Sequence, residues 1–206
     1  MTDTTHTLTT DERTDLLETL AHSRRFLRFT TRDLTDEQAG QRTTASELCL
    51  GGLVKHVTSV ERHWADFILN GPSAMPDFTA TTEADFAKRA DEFRMQPGET
   101  LDGVLADYEE TARRTDELVM ALPDLNAGHP LPEAPWNEPG ARWSARRVLL
   151  HIAAETAQHA GHADIIREQV DGAAGLRSDN SNLPEQDAAW WEAYRAKVEE
   201  AARAAV

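Results

Sequence analysis

The chain has 206 residues and carries 36 Asp+Glu against 21 Lys+Arg, a formal charge of −15. That length suits one domain, or one domain with an appendage, and can bury a core without covalent staples. The charge argues against nucleic acid and against anionic lipid as partners, since both need clustered Lys and Arg.

A single cysteine, Cys49, can form no internal disulfide. The first residues lack the basic-then-apolar pattern of a signal peptide, and no apolar run is long enough for a membrane span. The expectation is an acidic, cytoplasmic domain with no membrane association.

Helical periodicity runs through nearly the whole chain. A first helix over 11–34 starts with Thr10 as N-cap, and Leu16, Leu17, Leu20, Leu27 and Leu34 recur along one side. Thr35 to Ser46 is polar, without periodicity, and reads as a connection. A second helix starts near Ser46 or Gly51, passes through Leu53, Val54, Val57, Val60, Trp64, Phe67 and Ile68, and stops at Asn70-Gly71-Pro72. Between Gly71 and Gly98 the run Glu83 to Phe93 reads as a minor helix.

A third long helix covers about 99–122, with Leu101, Val104, Leu105, Tyr108, Leu118 and Leu122 on one side and Pro123 at its end. The following segment contains Pro130, Pro132, Pro135 and Pro139 around Trp136, and a loop of that length is usually a functional lid or a disordered piece. Ser144 caps a fourth helix that ends at Asp171-Gly172. Trp190, Trp191 and Tyr194 mark a last, alanine-rich helix, which the reading docks on the bundle or on a second subunit. The expected architecture is therefore all-α, an antiparallel four-helix bundle over residues 1–172, with a linker and an amphipathic helix over 173–206.

The chemistry concentrates in the fourth helix. His151, Glu155, His159 and His162 follow one another at steps of four, four and three. At 100° per residue they share an arc of about 80°. The stripe flanks the apolar positions Val148, Leu149, Ile152, Ile165 and Ile166, so part of it faces the interior. Buried imidazoles and carboxylates need hydrogen-bond partners or a cation to offset desolvation. Residues one turn apart, such as Glu155 and His159, can reach a single ion. In the second helix His56 lies one turn from Gly52 and from Val60, and reads either as a core histidine or as a further ligand. His63 lies two turns further on, as a proton-transfer group or a rim residue. Cys49, between Leu48 and Leu50, reads as a small buried hydrophobe rather than a nucleophile. Trp64 reads as core or site wall, and Trp136 and Trp143 as the rim of a pocket mouth.

The segment Gly51-Gly-Leu-Val-Lys-His56, followed about a hundred residues later by Glu155-Thr-Ala-Gln-His159-Ala-Gly-His162, resembles the DinB-like metalloprotein superfamily. That superfamily includes mycothiol-dependent maleylpyruvate isomerases and thiol S-transferases. The resemblance covers about residues 10–172 and implies a four-helix bundle, commonly dimeric, with a divalent metal. Carried over by position, it implies His56, Glu155 and His159 as ligands. His162 is then either a replacement for Glu155 or, with His63, a group that moves protons.

Two imidazoles and one carboxylate suit Zn²⁺ and also accept Ni²⁺, Mn²⁺ or Fe²⁺. Three protein ligands leave a coordination position of the catalytic kind, and a residual positive charge there favours a hydroxide or a thiolate. The preferred reading is an enzyme that activates a low-molecular-weight thiol such as mycothiol toward a small electrophile, by transfer or isomerisation. A non-catalytic metal-binding bundle and a water-activating metallohydrolase remain as alternatives. The expected partners are a small-molecule substrate, the thiol, and a second copy of the chain.

Overall fold

The computed structural model describes residues 11–77, 79, 81–178, 180–181 and 183–204. The chain divides into two compact units, residues 1–174 and 175–206. In the first unit the elements are α1 (Glu12–Thr30), α2 (Asp36–Gly40), α3 (Leu50–Asn70), a 3₁₀ turn (Gly71–Ala74), α4 (Glu83–Glu92), α5 (Leu101–Ala121), β1 (Gly128–Pro130), β2 (Arg142–Ser144) and α6 (Ala145–Asp171). The second unit holds α7 (Ala188–Ala204). The fold is all-α, built on four long helices.

Local chemistry sets most helix boundaries. Asp11 caps α1 by accepting from the Arg13 amide; Thr10 lies outside the described residues. The α1 helix ends at Thr30, earlier than the leucine stripe suggests, and Thr35 to Ser46 is not all connection. Thr35 and Gln38 form a reciprocal capping box that starts the five-residue α2. Cys49 begins α3 with its sulfur, which accepts from the Gly52 amide at 3.4 Å. It is a buried cap, 3% exposed. Ser144 accepts from the Arg147 amide at 3.2 Å to start α6, and Gly172 closes that helix in the left-handed region at φ 78°.

The helix directions follow from contacts at their ends. Arg146 at the start of α6 pairs with Glu12 at the start of α1, and Arg167 near the end of α6 donates to the Thr30 carbonyl at 2.9 Å. These two helices therefore run the same way. In α3, Lys55 pairs with Glu99 just before α5, and Arg62 pairs with Asp107 within it, both at 2.7 Å. That pair also shares a direction. Arg13 donates to the Leu122 carbonyl at 2.8 Å, so α1 opposes α5. The bundle is thus antiparallel between two parallel pairs, an arrangement that needs a long crossover connection. Residues 71–100, carrying α4, supply it by returning the chain from the end of α3 to its beginning.

Two apolar clusters fill the bundle, one around Leu20, Phe67, Val119 and Ile152, the other around Leu27, Val57, Tyr108 and Ala160. Between them, each long helix contributes a buried polar residue: Arg24, Glu61, Thr111 or Thr115, and Thr156. The proline-rich segment is held between two short antiparallel strands, with Gly128 opposite Ser144 and Pro130 opposite Arg142. The sequence shows no alternation there because three residues are too few to display it. Within the second unit, Trp190 stacks on Tyr194 at 5.2 Å and meets Trp191 edge-on at 4.9 Å. Among the described residues no helix is long and apolar enough to cross a membrane.

Candidate metal centre

Helices α3 and α6 bring the histidine-rich stretches together near the start of one and the far half of the other. Leu50, Leu53, Val54 and Val57 bury one side of α3, and His56 rides at the edge of that side, 6% exposed. Val60, read as a core position, is only half-buried. On α6 the apolar positions Val148, Leu149, Ile152 and Ile166 are buried, and the polar stripe borders them. His151, Glu155 and His159 are half-buried, whereas His162 is exposed.

His56, Glu155 and His159 converge. Each offers one ligand atom, and these atoms all lie within 4.8 Å of one another. The His56 and His159 rings meet edge to face with centroids 4.8 Å apart. His159 Nε2 lies 3.7 Å from Glu155 Oε2, longer than a hydrogen bond. Burial, reinforced by the neighbouring His56, pushes the His159 imidazole down to about 4, partly opposed by Glu155. It is therefore neutral at pH 7 and keeps a lone pair, the form in which an imidazole binds a cation.

The other named residues surround this group. The Nδ1 atom of His162 lies 3.4 Å from that of His159, so one ring donates and the other accepts. His151, one turn before Glu155, stands edge-on to Trp64 at 4.9 Å and to Trp143 at 5.1 Å, and burial lowers its pKa. Trp64 and Trp143 stack at 4.8 Å, so they form a wall at the α3–β2 side. Trp136, at the far end of the proline-rich segment, is 66% exposed. His63 does not join the three converging donors. Its Nδ1 meets the Ser59 hydroxyl at 3.4 Å, and Ser59 donates to Glu92 Oε1 at 3.1 Å.

Glu92 and Phe93 are neighbours that sequence reasoning missed. Phe93 stacks on His56 at 4.0 Å, with its ring tilted by 25°. Glu92 Oε2 lies 3.8 Å from His56 Nδ1. His56 and the Ser59 hydroxyl hold the Glu92 carboxyl below its usual range, against burial. A signal for this approach is present in Gly51-Gly52. A Cβ at Gly52 would stand 1.9 Å from the Phe93 carbonyl oxygen, so only glycine lets that segment cross the helix there. Behind Glu92, between α3 and α5, runs a groove of about 500 Å³. Its cations are already engaged, Lys55 by Glu99 and Arg62 by Asp107. Its lining includes neither His56 nor His159.

Known proteins place the chain. A solved protein from Enterococcus faecalis, described as the conserved protein of its locus, is similar in fold. Its TM-score is 0.55 at 13% identity, over 80% of this chain and 99% of that one. No curated protein sequence matches the chain. The mycothiol S-transferase family profile matches residues 15–172, a span that includes His56, Glu155 and His159. With most of its length inside that match, the chain belongs to the mycothiol S-transferase family, within the DinB-like superfamily.

Proposed function

We propose that the protein is a metal-dependent thiol S-transferase in which His56, Glu155 and His159 hold one divalent cation. The observation that carries this reading is the convergence of two imidazoles and a carboxylate from two helices inside the span matched by the family. The donor set fits. Donors around a tetrahedral zinc lie about 2.0–2.2 Å from the ion, hence roughly 3.5 Å apart. Donor atoms within 4.8 Å of one another have to draw about 1 Å closer to reach that size. Zn²⁺ matches the set best, with Ni²⁺, Mn²⁺ and Fe²⁺ as further candidates.

A divalent ion there supplies a Lewis acid that favours the thiolate form of mycothiol, or of a similar small thiol, near neutral pH. The protein's residues do the rest. Neutral His159 contributes a lone pair, and Glu155 contributes the one negative charge among the three ligands. Exposed His162 would give up its Nδ1 contact with His159 to take the thiol proton there, and would pass it to solvent. The Trp64–Trp143 wall beside His151 shields one side of the site from water. His63 acts at a distance, by orienting Ser59 against Glu92.

The test is metal analysis followed by spectroscopy. The purified protein should hold about one divalent metal per chain, and His56→Ala or His159→Ala should lose it. Adding mycothiol to the cobalt-substituted protein should produce a sulfur-to-metal charge-transfer band. Full metal retention by both variants removes the ligand assignment. Metal binding without any thiol band removes the transferase reading while leaving the site.

A further inference from the structure

We infer that Glu92 is a positioning residue that fixes the tautomer of His56, and so decides which of its ring nitrogens is left free to bind a cation. The inference rests on the reading of His56 as a ligand. It starts from an anomaly. His56 Nδ1 is sealed from solvent and has no hydrogen-bond partner among the described residues. A buried polar atom left in that state has lost its hydration with no bond in return. The carboxylate facing it is Glu92 Oε2, at 3.8 Å. That gap exceeds a hydrogen bond, so the pair closes only when the Glu92 carboxylate swings about 1 Å toward the ring.

Chemistry then selects the tautomer. If Nδ1 carried the lone pair, it would point electron density at a carboxylate from a position that water does not reach. If Nδ1 carries the proton, the orphaned atom gains an acceptor. The neutral ring holds a single N–H, so Nε2 keeps the lone pair. A carboxylate on the far nitrogen of a ligand histidine also raises its basicity toward the metal.

The surroundings hold Glu92 in place. Its other oxygen accepts the Ser59 hydroxyl at 3.1 Å. Its backbone segment is fastened to α3 on both sides of the crossing. Lys55 Nζ donates to the Asp91 carbonyl at 3.3 Å and the Arg94 carbonyl at 2.9 Å, and the Cys49 thiol meets the Phe93 carbonyl at 3.7 Å. Phe93 covers the His56 ring. The crossover connection thus does more than link two helices: it seats a carboxylate behind one histidine. His159 meets its carboxylate neighbour, Glu155, through Nε2 at 3.7 Å, and its Nδ1 faces another imidazole, that of His162. The two histidines are therefore held by unlike means.

The experiment compares wild type, Glu92→Ala and Glu92→Gln. Nitrogen-15 NMR of the histidine rings in metal-free protein reads the tautomer, and competition with a chromophoric chelator reads zinc affinity. Wild type should show the Nδ1–H form of His56. Glu92→Ala should populate the Nε2–H form and bind zinc about 10–100-fold more weakly. Glu92→Gln, which keeps an acceptor oxygen, should fall between the two. An unchanged His56 tautomer in Glu92→Ala, or an unchanged zinc affinity, overturns the inference and leaves the metal reading intact. Wild-type protein that binds no zinc overturns the metal reading itself and takes this inference with it, a result seen before any variant is made.

Discussion

Two of the clusters of buried polar groups in the bundle are built on opposite plans. In the middle layer, Arg24 donates through Nε to Glu61 Oε2 at 3.1 Å, makes a second bond to Glu61 Oε1, and reaches Asp116 at 2.8 Å. Thr115 and Thr156 donate to carbonyls one turn back on their own helices, at 3.0 and 2.8 Å. Each of these side chains is paired. Around His56, groups of comparable polarity converge without pairing: one ring nitrogen is orphaned, and the imidazole–carboxylate approach stays at 3.7 Å. Burial of charge therefore does not by itself mark a binding site. A layer that satisfies itself specifies how helices align, whereas a cluster that keeps its lone pairs is prepared for something outside the chain.

Breaking the closed cluster should cost the most. Glu61→Ala leaves Arg24 buried with Asp116 alone and should destabilise the fold by about 3–5 kcal/mol in denaturant titrations. Replacing both partners, Arg24→Met with Glu61→Leu, should cost less than the single change, because no uncompensated charge remains. A double variant weaker than Glu61→Ala would show that the layer does more than satisfy itself.

The open cluster should respond to pH instead. His159 titrates at about 4 in the folded chain against 6.5 as the ordinary value. As pH falls below 6.5 the unfolded chain takes up a proton that the folded chain refuses, so stability declines with falling pH. The decline levels off below about 4, where both states are protonated. Metal-free protein should show this slope in chemical denaturation between pH 6.5 and 4, and His159→Ala should flatten it. A slope that survives the substitution would assign it to other groups.

The smallest effect is expected within the closed layer. Thr115→Val removes a hydroxyl that bonds only its own helix and adds a methyl group in a buried site. It should change stability by no more than about 1 kcal/mol, read from the same titrations. A larger loss would mean that the hydroxyl bridges helices.

Parts of this molecule were plain in the sequence because their causes are local. Ser144 and Gly172 bound α6, since a cap and a left-handed stop act within one turn. The grouping of Glu155 with His159 is equally local, four residues being one helical turn. The capping box at Thr35 and Gln38 was also written in the chain. The five-residue helix that it starts is too short to show a period, and so it read as a connection.

Bringing His56 to that pair takes packing of α3 against α6, which no spacing along one helix reports; only the likeness to a family pointed to it. The direction of the helices was not legible either, because apolar stripes look the same whether neighbours run parallel or opposed. Glu92 stood in a weakly patterned segment, and nothing in its surroundings announced it apart from two glycines forty residues earlier. Sequence by itself determined the four long helices, both ends of α6 and its polar stripe, through interactions spanning a few residues. Tertiary structure alone decided which nitrogen of His56 is sealed and which carboxylate faces it, because that contact depends on where a thirty-residue crossover returns to the bundle.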